Sequence, residues 1–143
     1  MSDDHLVIRL ADWEKDKTAL STIRKQVFIE EQDVPEDMEW DEFDASASHF
    51  LVLKNKRAIA CARLKTDGQI GRMAVLPEHR SKGIGKQLLQ FVLLEAAAQN
   101  LNTVYLHAQV SARAFYEKHG FSTRGDIFYE ANIPHQEMLK KIC

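Results

Sequence analysis

The chain has 143 residues, 45% apolar and 28% charged, a length that one hydrophobic core can serve and a composition ordinary for a folded globular protein. Its formal net charge of −2 argues against nucleic acid as the main partner, because such binding draws on a basic excess gathered on one face. No apolar run approaches the roughly 20 residues a bilayer crossing requires, and MSDDHL lacks the basic-then-apolar start of a signal peptide, so a cytoplasmic location without a membrane partner is expected.

Residues 4–10 predict a first strand through Leu6, Val7, Ile8 and Leu10. Asp12 is placed to cap the helix that follows, in which Leu20, Ile23 and Val27 recur at spacings of three and four and form a core-facing stripe. Pro35 then breaks the pattern within residues 30–44, which hold nine of the 21 acidic residues and no Lys or Arg, leaving 19 basic against 12 acidic residues elsewhere. This stretch has two readings: a solvated surface loop, or a negative mouth that attracts cationic substrates such as polyamines, aminoglycosides or lysine amines. Trp40, Phe43 and Met38 within it favour packing on the body.

Three strands are predicted at 49–54, 57–66 and 69–76, divided by Asn55-Lys56 and Asp67-Gly68, which makes an antiparallel meander. A helix over about 84–99 places Ile84, Leu88, Val92 and Ala96 on one face with Leu89 and Leu93 beside them. TVYLHA is a fifth strand, and the long helix serves as the crossover to it. Residues 111–119 predict a short helix, capped by Ser111 and ended by Gly120, before two closing strands near 121–130 and 135–142. This order indicates an α/β domain of mixed sheet direction. Cys61 and Cys143 form no CxxC and no metal-ligand spacing, so free thiols and no metal are expected.

The stretch VLPEHRSKGIGKQLLQFVLLE passes from a strand through Arg80, Lys82, Gly83, Gly85 and Lys86 into the long helix. A helix start leaves N–H groups unpaired beside a partial positive charge, glycine lets an anion come close, and the cations ring the turn. One reading is therefore a phosphate cradle, the other a tight turn. A P-loop would need Ser or Thr where Gln87 stands, and a dinucleotide fingerprint would need glycine where Leu88 stands, so neither nucleotide motif fits.

Arg80-Ser81-Lys82-Gly83-Ile84-Gly85 resembles the acetyl-CoA loop of the GNAT family of N-acetyltransferases, which reads Gln/Arg-x-x-Gly-x-Gly/Ala after a strand. ARAFYEKHGF is similar to the family's Ala-x-x-x-Tyr-x-x-x-Gly-Phe segment, and RKQVFIEEQ to a stretch of its small bacterial ElaA/YjcF-like members. The resemblance implies a single α/β (α+β) domain over 1–143, with a mixed, mostly antiparallel sheet of six to seven strands flanked by about four helices. It implies that residues 80–86, including Ser81, Ile84 and Lys86, hold the diphosphate of acetyl-CoA. The backbone of Met73, Ala74 and Val75 would then pair with the pantetheine arm, with an N–H of Ala74 or Val75 as an oxyanion donor. Ala112 and Gln109 adjoin the coenzyme, Gln109 standing where the family commonly has Asn.

Tyr116 matches the family's general acid, although Phe115 and Tyr116 also suit a core. An amine acceptor must lose a proton before it attacks. The candidates are Glu31, which leads, Asp41, His49, His107 and His135; each also has a structural explanation. The implied function is direct acetyl transfer to a primary amine on a small molecule or protein, without metal or covalent intermediate, and dimers are common among similar proteins. The rival reading is an acetyl-CoA-binding sensor without turnover.

Overall fold

The computed structural model describes residues 5–142; Asp4 of the expected first strand and Cys143 lie outside them. In chain order come β1 (Leu6–Ala11), α1 (Lys17–Arg24), a π-helical segment (Lys25–Glu31), α2 (Glu36–Glu39), β2 (Ser48–Lys54), β3 (Arg57–Leu64) and β4 (Gln69–Val75). There follow α3 (Ile84–Ala98), β5 (Thr103–Gln109), α4 (Arg113–Lys118), β6 (Ser122–Glu130) and β7 (Ile133–Lys141). The strands form one sheet in the order β1-β2-β3-β4-β5-β7-β6. Every neighbouring pair is antiparallel except β4 and β5, which α3 joins as a crossover. This is the mixed, mostly antiparallel sheet with four helices expected from the sequence.

Local chemistry explains the turns. Asn55 and Lys56 both take positive φ, 50° and 70°, the conformation that a two-residue hairpin with matching strand twist requires. At Gly68, φ is +98° and a Cβ would come within 2.9 Å of the Thr103 carbonyl oxygen. That glycine lets the start of β4 approach β5, where Tyr105 N–H donates to the Gly68 carbonyl at 3.1 Å.

At β2 and β3 the sheet is buried on both faces, which is why β2 reads as a continuous apolar run rather than an alternation. Phe50 and Val52 join Leu88, Leu89, Val92 and Ala96 of α3 in one cluster, while Leu51 between them joins Leu20, Ile23 and Val27 in the other. Each such buried Leu, Ile, Val or Phe contributes roughly 1.5–3 kcal/mol. Cys61 belongs to the second cluster, and its burial pushes the thiol pKa up to about 12. A thiol reagent is therefore expected to modify Cys61 only as the protein unfolds; rapid native-state labelling, mapped by peptide mass, would contradict this packing.

Three local expectations change. The first helix begins at Lys17, and Asp12 caps the turn before it, its Oδ1 accepting from the N–H groups of Glu14 (2.8 Å) and Lys15 (3.1 Å). The apolar stripe continues through Val27, but the backbone after Arg24 widens into a π-helix. Ser111 lies in a 3₁₀ turn and makes no cap, so α4 starts at Arg113 with Ala112 preceding it.

The acidic stretch is divided: Glu30, Glu31, Asp33, Glu36, Asp37 and Glu42 are exposed, while Glu39, Asp41 and Asp44 turn inward onto arginines. Arg24, 1% exposed, donates from Nε to Glu39 (2.8 Å), from Nη1 to Asp44 (2.8 Å) and from Nη2 to the Glu39 carbonyl (2.8 Å). Arg63 Nη1 reaches Asp41 at 2.7 Å and Asp44 at 2.9 Å, and Arg72 reaches Glu39 at 3.0 Å and Asp41 at 3.1 Å. The guanidinium of Arg24 also stacks near Trp40 and Trp13, 5.0 and 5.7 Å from their ring centres. Three carboxylates of the stretch thus meet three arginines, and the segment is pinned to the body. Burial works to raise the Asp44 carboxyl, but the hydrogen bonds and charges of Arg24 and Arg63 reverse the effect and hold it below its ordinary range.

Candidate functional site

Strands β4 and β5 pair only through Gln69–Tyr105 and Ile70–Leu106. Beyond these two rungs they part. The departure begins at a bulge in β4, where the register with β3 shifts between Cys61 and Arg63 and Arg72 takes φ of +48°. A cleft of about 500 Å³ opens there, bounded by Met73 on one side, by His107, Gln109 and Tyr116 on the other, and by Phe28, Met38 and Phe43 from the segment above. Leu76 N–H donates to Ile59 of β3 (2.9 Å), so by the alternation of a strand the Val75 amide faces the parted side. The Ala74 amide faces the Cys61 thiol instead. Of the two expected oxyanion donors, Val75 is the one turned to the cleft side.

At the end of β4 the chain passes through a 3₁₀ turn (Pro77–His79) into the loop before α3. Arg80 N–H donates to the Pro77 carbonyl (3.3 Å) and Gln87 N–H to the Gly83 carbonyl (3.1 Å). Among the described residues, no acceptor meets the amides of residues 81–86 between them. Ser81 and Gly83 take φ of +62° and +80°. Successive amides in such turned conformations, placed at a helix N-terminus, form a concave anion site. A Cβ at Gly83 would meet nothing within 4 Å, so this glycine supplies conformation and an open approach. Gly85 lies instead over Phe115 of α4, whose Cζ would be 3.7 Å from an added Cβ. Lys82 and Lys86 are exposed beside the loop, and Ile84 is buried beneath it.

Arg80 does not stand free at the rim. Its Nε donates to the Val75 carbonyl (2.9 Å), and its Nη1 and Nη2 donate to Glu31 Oε2 and Oε1 at 2.8 and 2.7 Å. The Arg80 hydrogen bond holds the Glu31 carboxyl below the usual carboxylate range. Tyr116 sits on α4 with its hydroxyl directed to Met73 Sδ at 3.7 Å, and burial pushes its pKa up to about 12. Its ring packs edge-on against Phe115 and Phe121, with centroids 5.1 and 5.7 Å away. The residue is thus a packed aromatic whose polar end borders the cleft. Gln109 Nε2 donates to Gln32 Oε1 at 2.8 Å, and Ala112 lines the cleft at the foot of α4.

The other titratable candidates divide by position. Asp41 is tied to Arg63 and Arg72. His49 is buried away from the cleft, with Nε2 on the Asp44 carbonyl (2.8 Å) and its ring stacked on Trp13; burial lowers its pKa. His107 and His135 both line the cleft. His107 lies between Glu130 (3.5 Å) and Glu137 (3.3 Å), and chiefly the Glu130 hydrogen bond raises its pKa. His135 donates from Nδ1 to the Ile133 carbonyl (2.7 Å), so in the neutral ring it is Nε2 that carries the lone pair. Gln32 and the arginines that pin the acidic segment, Arg24, Arg63 and Arg72, were not singled out from sequence; the EEQ run was the one local signal, and it names no partner.

The model of an acetyltransferase (GNAT) domain matches residues 11–142. The "Uncharacterized N-acetyltransferase YjcF" of Bacillus subtilis is 33% identical over 122 residues, covering 82% of this chain and 87% of that protein. The crystal structure of Escherichia coli ElaA superposes with a TM-score of 0.85 at 28% identity, covering 94% of this chain and 99% of that one. An acyl-CoA N-acyltransferase from Pseudomonas aeruginosa superposes with a TM-score of 0.86 at 28% identity, covering 95% and 99%.

Proposed function

The chain belongs to the GNAT family of acetyltransferases and is an acyltransferase; from that premise we propose that it moves acetyl from acetyl-CoA to a primary amine by direct transfer while both are bound. The observation that carries this reading is the junction of two features: unpaired amides before α3, and a parted β4–β5 cleft bordered by the Tyr116 hydroxyl. The amides of Ser81, Lys82, Gly83, Ile84, Gly85 and Lys86 would hold the diphosphate, with Lys82 and Lys86 adding charge, while Arg80, its N–H on the Pro77 carbonyl, would fix the start of the loop. The backbone of Met73 and Val75, on either side of Ala74, would pair with the pantetheine arm, and Gln109, its Nε2 already given to Gln32, keeps its side-chain carbonyl to accept from an amide N–H. Ala112, small and at the cleft wall, leaves that arm room.

Bound acetyl-CoA supplies a thioester acyl donor. Tyr116, with its pKa near 12, holds its proton at neutral pH and serves as the general acid toward the departing thiolate. The acceptor amine must shed a proton. Glu31, the leading expectation from sequence, is a weak base while Arg80 holds it, so the reading assigns the proton to His135, whose tautomer leaves Nε2 to accept it. The acceptor is a small-molecule or protein amine, admitted between the 28–43 segment and β5–β7.

The test is thiol release from acetyl-CoA across a panel of amines: polyamines, aminoglycosides, amino acids and lysine peptides. Release that depends on one class of amine is the expected result. Tight acetyl-CoA binding without release to any amine would favour the sensor and overturn the transfer.

A further inference from the structure

Two adjacent residues, Glu31 and Gln32, reach opposite lips of the cleft. Glu31 grips the guanidinium of Arg80, at the loop that follows β4, with two hydrogen bonds of 2.7 and 2.8 Å. Gln32 accepts from Gln109 at the last residue of β5, 2.8 Å away. The sheet itself stops joining these strands at Ile70–Leu106. At the far end the lips are therefore linked by side chains carried on a third element.

That element is anchored. Val27 of the π-helical segment is 3% exposed in the second core cluster, and Val34 N–H donates back to the Phe28 carbonyl (2.8 Å), folding the chain after Gln32 into a turn. The same Arg80 that Glu31 holds also donates Nε to the Val75 carbonyl (2.9 Å), so one planar guanidinium spans the segment, the end of β4 and the anion loop. π-Helical turns often mark functional positions. Arg80 and Glu31 are each 39% exposed, and an exposed pair contributes little to stability; what it can fix is geometry.

We infer that Glu31 and Gln32 act as a clasp that sets the width of the cleft and presents the 80–86 loop to the coenzyme, as positioning residues and not as proton carriers. This rests on the acetyl-CoA reading given above. Pre-set loop geometry lowers the ordering cost of binding, so loss of the clasp acts on coenzyme affinity and leaves proton transfer intact.

The experiment measures acetyl-CoA affinity by calorimetry, steady-state constants, the pH profile and the melting temperature for Glu31→Gln, Gln32→Ala, Arg80→Gln and the Glu31→Gln/Arg80→Gln double variant. Each single variant should raise Kd and KM for acetyl-CoA about tenfold, with kcat and the pH profile unchanged and little change in melting. The double variant should be no weaker than Arg80→Gln alone, because both changes break one contact. Unchanged or tighter acetyl-CoA binding by Glu31→Gln would overturn the clasp, as would a fall in kcat with loss of a pH limb, the signature of a base. Failure of the wild-type protein to bind acetyl-CoA would instead remove the underlying reading, and the clasp with it.

Discussion

Tyr116→Phe is expected to lower kcat by about 10²–10⁴-fold, the range a positioned general acid contributes, while acetyl-CoA affinity stays within a few-fold of wild type. The substitution keeps the ring and hence its edge-on packing with Phe115 and Phe121; it removes only the hydroxyl and its 3.7 Å contact with Met73 Sδ. Stability should therefore barely move, which separates loss of chemistry from loss of fold. Because the phenol is pushed up to about 12, the wild-type rate should show no alkaline decline from this residue below about pH 11. A variant with near-normal turnover would reduce Tyr116 to its packing role. Stopped reactions quantified by acetylated product give the comparison.

Arg24→Leu is expected to lower the free energy of unfolding by about 3–5 kcal/mol, because Glu39 and Asp44 would keep their burial and lose a shared counter-ion. Arg63 and Arg72 would remain to compensate part of the charge, but none of the four hydrogen bonds from Arg24 could be remade by an aliphatic chain. Melting should fall on the order of 10 °C. Urea titration of the variant against wild type measures the difference, and a loss under about 1 kcal/mol would show that the network is not holding the segment. The consequence reaches the site, since Glu39, Asp41, Met38 and Phe43 of the pinned stretch all line the cleft.

The strands, the α3 stripe and the crossover were legible because each is a local repeat. Ile84, Leu88, Val92 and Ala96 recur at helical spacing, and the Asp67-Gly68 turn reports its own conformation. The loop at 80–86 was legible for a related reason: a strand, two glycines, three cations and an apolar helix occur within one short window. The fate of the acidic stretch was not. Its partners lie 15 to 33 residues away in the cases of Arg24–Glu39 and Arg72–Glu39, and no periodicity in the sequence joins them. Nine acids over residues 30–44 without a base read as solvent-facing or substrate-facing, whereas the fold brings three arginines from α1, β3 and β4 to three of them.

Glu31 illustrates the same limit inside the site. It led the candidate bases as a carboxylate of the right chemistry, and nothing local speaks of a guanidinium 49 residues on. The pairing turns a group with suitable chemistry into one whose proton affinity is lowered. Ser111 and Asp12 show the smaller version: each has the right residue type for a helix cap, but the 3₁₀ turn and the extra turn before α1 move the helix starts downstream. The widening after Arg24 could not be read at all, since Leu20, Ile23 and Val27 satisfy the ordinary helical stripe.

In the proposed function the amides of residues 81–86 receive the diphosphate of acetyl-CoA while the arm lies along the parted edge of β4. Backbone amide NMR of the labelled protein titrated with CoA tests it most directly. The largest shifts should fall on residues 81–86, with a second group at Met73 and Val75 and little change in the distant β1–β2 strand pair. Saturation that leaves the amides of Ser81, Lys82, Gly83 and Gly85 unmoved would contradict the account.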